Sequence, residues 1–184
     1  MTQALVIRFK SASTPAAATD QNPAASDTAA HEAEWLVVEG NGARQGNMQS
    51  GPLVNAAALA GGRKVVVFVP GTDVYLAEPV LPLKSGAKLL QVVPFALEEQ
   101  MATDVEELHF AVGRREDRPG TPVAAVSHEL MTRWQTSLRE AGLYAEAIYA
   151  ETSALPITPN GVTLLIDGAR VYVRRENSPG AVLD

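Results

Sequence analysis

The 184 residues carry 15 Lys and Arg against 21 Asp and Glu, a formal net charge of −6, with 46% hydrophobic residues and no cysteine. That length and apolar content can build a sizeable core in one large domain or two small ones, while the acidic balance repels nucleic acid and anionic membrane surfaces as main partners. The absence of cysteine excludes disulfides, thiolate zinc sites and cysteine nucleophiles; apolar runs no longer than residues 65–69 fall far short of the roughly 18–20 needed to span a bilayer.

Residues 4–9 (ALVIRF) read as a short buried strand that starts without a basic n-region or cleavage site, so a soluble, cytosolic chain is expected. Residues 11–33 are mostly alanine, serine, threonine and proline, with nothing apolar larger than alanine. Such a stretch cannot bury enough surface to offset the entropy of ordering, which predicts a mobile insertion; Pro15 and Pro23 argue against an alanine helix. Residues 34–39 (EWLVVE) predict a strand ending at Gly40-Asn41-Gly42. Residues 52–60 predict a short helix with proline in its first turn and Gly61-Gly62 at its stop. The unbroken run 65–69, bounded by Pro70-Gly71, reads as a central strand buried on both faces. Residues 74–81 extend again, but Pro79 and Pro82 confine them to an edge or an irregular crossing.

Residues 85–101 predict a helix with Leu89, Val93, Leu97 and Met101 along one stripe. Ser85 is its expected cap, and Pro94 predicts a kink or break. Strands are expected at 107–114 and 122–126, joined by a polar turn at 116–120. Ser127 then caps a helix over 128–141, with Leu130, Trp134, Leu138 and Ala141 on its buried face and Gly142 as its stop. Residues 144–149, 162–167 and 169–175 read as strands, the last two forming a hairpin across Asp167-Gly168-Ala169, and the tail reads as frayed. Strands alternating with two helices predict an α/β protein with a partly antiparallel sheet.

Catalytic motifs are missing. Gly61-Gly62-Arg63-Lys64 lacks the spacing of a phosphate-cradling loop and reads as a helix stop followed by a strand start. His31, His109 and His128 lie far apart, and the HExxH frame opened by His128-Glu129 fails at Thr132, so no metal site is expected. No G-x-S-x-G elbow occurs. The pairs Glu98-Glu99 and Glu106-Glu107 are sequence neighbours whose side chains point in different directions on a helix, so a solvated face outweighs acid/base work. Between residues 89 and 113 there is no Lys or Arg, yet Glu98, Glu99, Asp104, Glu106 and Glu107 fall there. Their field favours a basic partner. Phe95, Val105, Leu108 and Phe110 either supply apolar anchors beside the acids or face the core.

The stretch 65–113 resembles the cytoplasmic domain of the type II secretion system protein L family. Its matching parts are Val69-Pro70-Gly71, Leu81-Pro82, the LLQVVPFALEEQ segment at 89–100 and DVEELHFA at 104–111. The resemblance implies an α/β, actin-like (ribonuclease-H-like) mixed sheet flanked by helices, here with a mobile insertion after the first strand. Residues 1–160 would form the first actin-like half with an inserted subdomain, and 161–184 the truncated start of the second. It also implies a non-enzymatic, cofactor-free scaffold on the cytoplasmic face of the bacterial inner membrane. The implied partners are the secretion ATPase (protein E), proteins M and F of the inner-membrane platform and a second copy of the chain. Membrane attachment would run through a segment absent here, making this a cytoplasmic fragment. Partner-binding candidates are Phe95, Glu98, Glu99, Asp104, Val105, Glu106 and Glu107. Actin-like kinases grip phosphate on two hairpins with Asp-x-Gly turns. Here the first position reads Ile7-Arg8-Phe9-Lys10 and the second Asp167-Gly168-Ala169-Arg170 without a hydroxyl, which predicts a lost ATP site. An actin-like ATP-binding protein or kinase, and a pilus-assembly actin-like adaptor that binds a partner peptide, are the rival readings.

Overall fold

The computed structural model describes residues 3–10, 32–81, 87–114 and 120–183. Residues 11–31 of the expected insertion, Pro82, Ser85 and residues 116–119 of the expected turn lie outside them. The chain divides into two compact units, Met1–Pro70 with Gln135–Tyr149, and Gly71–Trp134 with Ala150–Asp184.

In the first unit, β1 (Ala4–Phe9), β2 (Glu32–Val38), β3 (Arg44–Pro52), β4 (Lys64–Val69) and β8 (Ala147–Ala150) form one sheet in the order β3-β2-β1-β4-β8. β1 runs antiparallel to β2 and parallel to β4, which makes the sheet mixed. Alternation aligns Leu5, Ile7, Phe9, Trp35, Val65 and Val67 on one buried face. Glu32 and Ala33, expected to belong to the insertion, are instead in β2, where Ala33 is fully buried. β4 corrects a second expectation. Val65, Val67 and Val69 are buried, but Val66, paired with Val6, and Phe68, whose ring lies 6.1 Å from that of Tyr149, are half-buried.

β3 (RQGNMQSGP) shows no apolar alternation and is almost wholly exposed; it forms because its backbone pairs with β2. The register slips between Trp35 and Val37, and Gly46 sits there at φ +78. Residues Leu53–Leu59 form a 3₁₀ helix rather than an α-helix, and Pro52 lies outside as its N-cap. Its buried residues, Leu53 and Ala56, are three apart, the spacing that three residues per turn stack on one face.

The second unit holds β5 (Tyr75–Ala77), β6 (Leu108–Val112) and β7 (Val123–Ser127) as an antiparallel sheet ordered β5-β7-β6, with β5 at the edge as Pro79 requires. α1 (Ala87–Leu97) runs through Pro94 and tightens into a 3₁₀ turn at Glu98–Gln100. Proline removes one backbone bond, but fully buried Val93 and Leu97 on either side of it hold the last turn, so the break falls after Leu97.

The same unit carries β9 (Val162–Asp167), β10 (Arg170–Arg175) and β11 (Ala181–Leu183), ordered β11-β10-β9 and antiparallel throughout. Within the tail expected to fray, residues 177–184, Ala181–Leu183 form β11, because Ala181 and Leu183 find backbone partners in Val173 and Val171. Gly168, at φ +63, takes the first central position of the β9–β10 turn.

α2 (His128–Glu140) passes from the second unit into the first. The Leu130 N–H donates to Ser127 Oγ at 3.2 Å, and Trp134, Leu138 and Ala141 are buried as their spacing requires. Leu143 N–H donates to Leu138 O and Gly142 N–H to Arg139 O, with Gly142 at φ +72: a Schellman stop.

Candidate functional site

The acidic block is assembled by α1 and the pair of short turns after it. Leu89, Val93 and Leu97 form a core cluster with Ala77, Leu81 and Val123, and Met101, Phe110 and Val112 pack against its side. Burying that stripe turns the opposite side of the helix outward. Phe95 is 74% exposed there, and Leu90 is also exposed.

Past Leu97 the chain changes direction twice through short 3₁₀ turns, Glu98–Gln100 and Val105–Glu107. Asp104 caps the second, its Oδ1 accepting from the Glu106 N–H at 3.0 Å. The Tyr75 hydroxyl donates to Gln100 Oε1 at 3.2 Å, tying the first turn to β5. Glu98, Glu99, Asp104, Glu106 and Glu107 are all exposed. Among the described residues no ion pair engages the four glutamates.

Of the apolar candidates, Phe95 stands in solvent, Val105 and Leu108 are half-buried, and Phe110 faces the core. The block is therefore a run of solvent-facing carboxylates, with exposed Phe95 on the preceding helix and Tyr75 hydrogen-bonded to Gln100. Periodicity alone could have singled out Phe95, which lies off the Leu89–Val93–Leu97 stripe. Val80, 73% exposed after β5, carries no signal in its own sequence neighbourhood.

The two positions compared with the phosphate-gripping hairpins lie at the end of β1 and in the β9–β10 turn. At the end of β1, Arg8 Nη1 lies 3.4 Å from Glu34 Oε2, and Lys10 Nζ donates to Ser50 Oγ at 2.7 Å with Glu32 and Glu34 within 4.0 Å. At the β9–β10 turn Asp167 pairs with Arg170 across Gly168-Ala169, and neither turn residue has a hydroxyl. Among the described residues no group of three or more His, Asp or Glu could hold a metal ion. No described helix is long and apolar enough to cross a membrane.

The mixed sheet ordered β3-β2-β1-β4-β8, in a chain that also carries the helices α1 and α2, places the protein in the α/β class. The family model described as type II secretion system (T2SS), protein L matches residues 24–184, and the chain belongs to that family of protein-secretion components. It is 36% identical over 138 residues to the type II secretion system protein L of Pectobacterium carotovorum subsp. carotovorum, covering 73% of this chain and 32% of that protein. The chain thus spans about a third of the length of the curated relatives it matches.

Among solved structures, the cytoplasmic domain of EpsL, an inner-membrane component of the type II secretion system of Vibrio cholerae, matches with a TM-score of 0.75 at 21% identity. That match covers 100% of this chain and 71% of that one. The PilM–PilN type IV pilus biogenesis complex matches with a TM-score of 0.57 at 18% identity, covering 84% and 58%. At those identities both speak for the fold.

Proposed function

We propose that the chain is a non-enzymatic scaffold on the cytoplasmic face of the inner membrane that docks the secretion ATPase, protein E, and links it to proteins M and F and to a second copy of itself. Membership of the protein L family supports the setting. The observation that carries the docking face is the exposed patch of Glu98, Glu99, Asp104, Glu106 and Glu107, beside half-buried Val105 and exposed Phe95. Exposed carboxylates steer a basic surface toward it, and an exposed ring offers an anchor.

Reversing Glu98, Glu99, Glu106 and Glu107 to lysine together should weaken ATPase binding at least about tenfold in titration calorimetry. Unchanged affinity in a variant that keeps its melting temperature removes this face from docking. The rival ATP-binding reading meets its own test in a melting experiment with Mg-ATP. A site at 100 times its Kd adds about 2.7 kcal/mol of stability, so a flat melting temperature at millimolar nucleotide speaks for the scaffold.

The same proposal takes residues 1–160 as a first actin-like half with an inserted subdomain and 161–184 as the start of a second. Its support is topological: β9–β10–β11 repeats the antiparallel meander of β1–β2–β3. β1 carries the parallel strand β4 on its other edge, whereas β9 ends its sheet with Leu164, Leu165 and Ile166 exposed.

A further inference from the structure

The chain crosses between its two units three times, at 70/71, 134/135 and 149/150. On the second unit's side, residues beside the first and third crossings are hydrogen-bonded to each other, while Arg133, beside the other, is paired with Glu129 at 2.7 Å. Gly71 N–H donates to Glu151 Oε1 at 3.0 Å, which joins two of the crossings directly. Glu151 is 9% exposed and Thr152 1% exposed. Asp73, two residues past the first crossing, lies in the field of Glu151, of Arg133 just before the helical crossing, and of Arg170 on β10.

Packing is tight around these charges. A Cβ on Gly71 would stand 2.7 Å from Val182 Cγ2 and 3.1 Å from Thr152 Cγ2, and one on Gly180 would stand 2.6 Å from Thr152 Cβ. Arg174 Nη1 donates to the Thr152 carbonyl at 3.2 Å. The segments Gly71–Asp73 and Glu151–Ala154 are thereby pressed against β10 and β11, all within the second unit.

We propose that this contact is a charge-held clasp, in which the carboxylate of Glu151, accepting from the Gly71 N–H, fixes the chain beside the first and third crossings, and its negative charge governs how readily they open. It is a conformational device of the second unit, and it does not depend on the docking reading. Geometry carries it: a nearly buried carboxylate binds backbone 80 residues away, and an ionised acceptor makes a stronger bond than a neutral one. Burial holds the Asp73 carboxyl above its usual range, with the Glu151 charge adding to that effect and the Thr72 hydroxyl, Arg170 and Arg133 opposing it. Asp73 therefore takes up a proton at higher pH than an exposed aspartate does.

Native-state amide hydrogen exchange, which reports local opening, tests the clasp. Glu151→Gln keeps an oxygen for the Gly71 amide and removes the charge. At pH 7 it should speed exchange at residues 71–73 and 151–152 by several-fold, leaving β1 and β4 at their original rates. Glu151→Ala, which removes the acceptor as well, should speed the same amides further, on the order of tenfold. Unchanged rates in Glu151→Gln overturn the proposal, because charge is then not what holds the segments. Equal acceleration in β1 and β4 overturns it too, since the residue would then support only global stability.

Discussion

Asp73 sits half-buried in a 3₁₀ turn that begins where β4 and Pro70 end. Its carboxyl titrates above the ordinary 3.8, with burial as the largest cause. The folded protein then binds this proton more tightly than the unfolded chain does, so this residue's contribution to stability falls as pH rises from 3.8 through the folded value. At pH 7.5, Asp73→Asn should raise the urea midpoint above wild type, and the gap should close as pH is lowered toward 3.8. A lower midpoint for the variant at pH 7.5 would mean that attraction to Arg170 and Arg133 outweighs burial. None of this was legible in the sequence. Asp73, Arg133, Glu151 and Arg170 belong to four elements far apart along the chain, and no local pattern brings them together. Exposed groups were a different matter: Glu98, Glu99, Glu106 and Glu107 could be read because they are neighbours in sequence and stay neighbours on a short stretch of backbone.

At the scale of elements, apolar periodicity decided what could be read. α1 and α2 were legible because their stripes repeat every three to four residues, and the α2 ends because Ser127 and Gly142 carry the chemistry of a cap and a stop. β3 was not, since its register comes from the backbone of β2 while its side chains face water. β11 was missed for a related reason: three residues have no period, and only β10 makes them a strand. The α1 stripe yields a paired prediction. Leu97→Ala empties a fully buried position in the cluster with Leu89 and Val93 and should cost about 2–5 kcal/mol in chemical denaturation. Phe95→Ala, on the exposed side, should change stability by less than about 0.5 kcal/mol while weakening ATPase binding. If Phe95→Ala destabilises as Leu97→Ala does, the ring belongs to the core and the docking face loses its aromatic anchor.

Over the whole molecule, apolar surface is unevenly satisfied. The β1–β2–β4 region buries one face completely, while the β9–β10–β11 sheet leaves one face bare. Cross-strand pairing sets Leu164 beside Val173 and Ala181, and Ile166 beside Val171 and Leu183, so Leu164, Ile166 and Leu183 emerge together, Ile166 at 72% exposure. Residues 162–166 contain no charge and no proline, the devices that ordinarily blunt an edge strand. A contiguous apolar patch beside an unpaired edge promotes association. Leu164→Lys with Ile166→Lys should therefore reduce concentration-dependent self-association of this chain in sedimentation velocity, with little change in its melting temperature. In a protein of the relatives' full length, where the proposed second half would cover this face, the same pair of lysines should instead be strongly destabilising, because each would bury an unpaired charge. Equal tolerance of the pair in the short and long proteins would show that nothing in the longer chain packs on β9, and the reading of residues 161–184 as the start of a second half would fall with it.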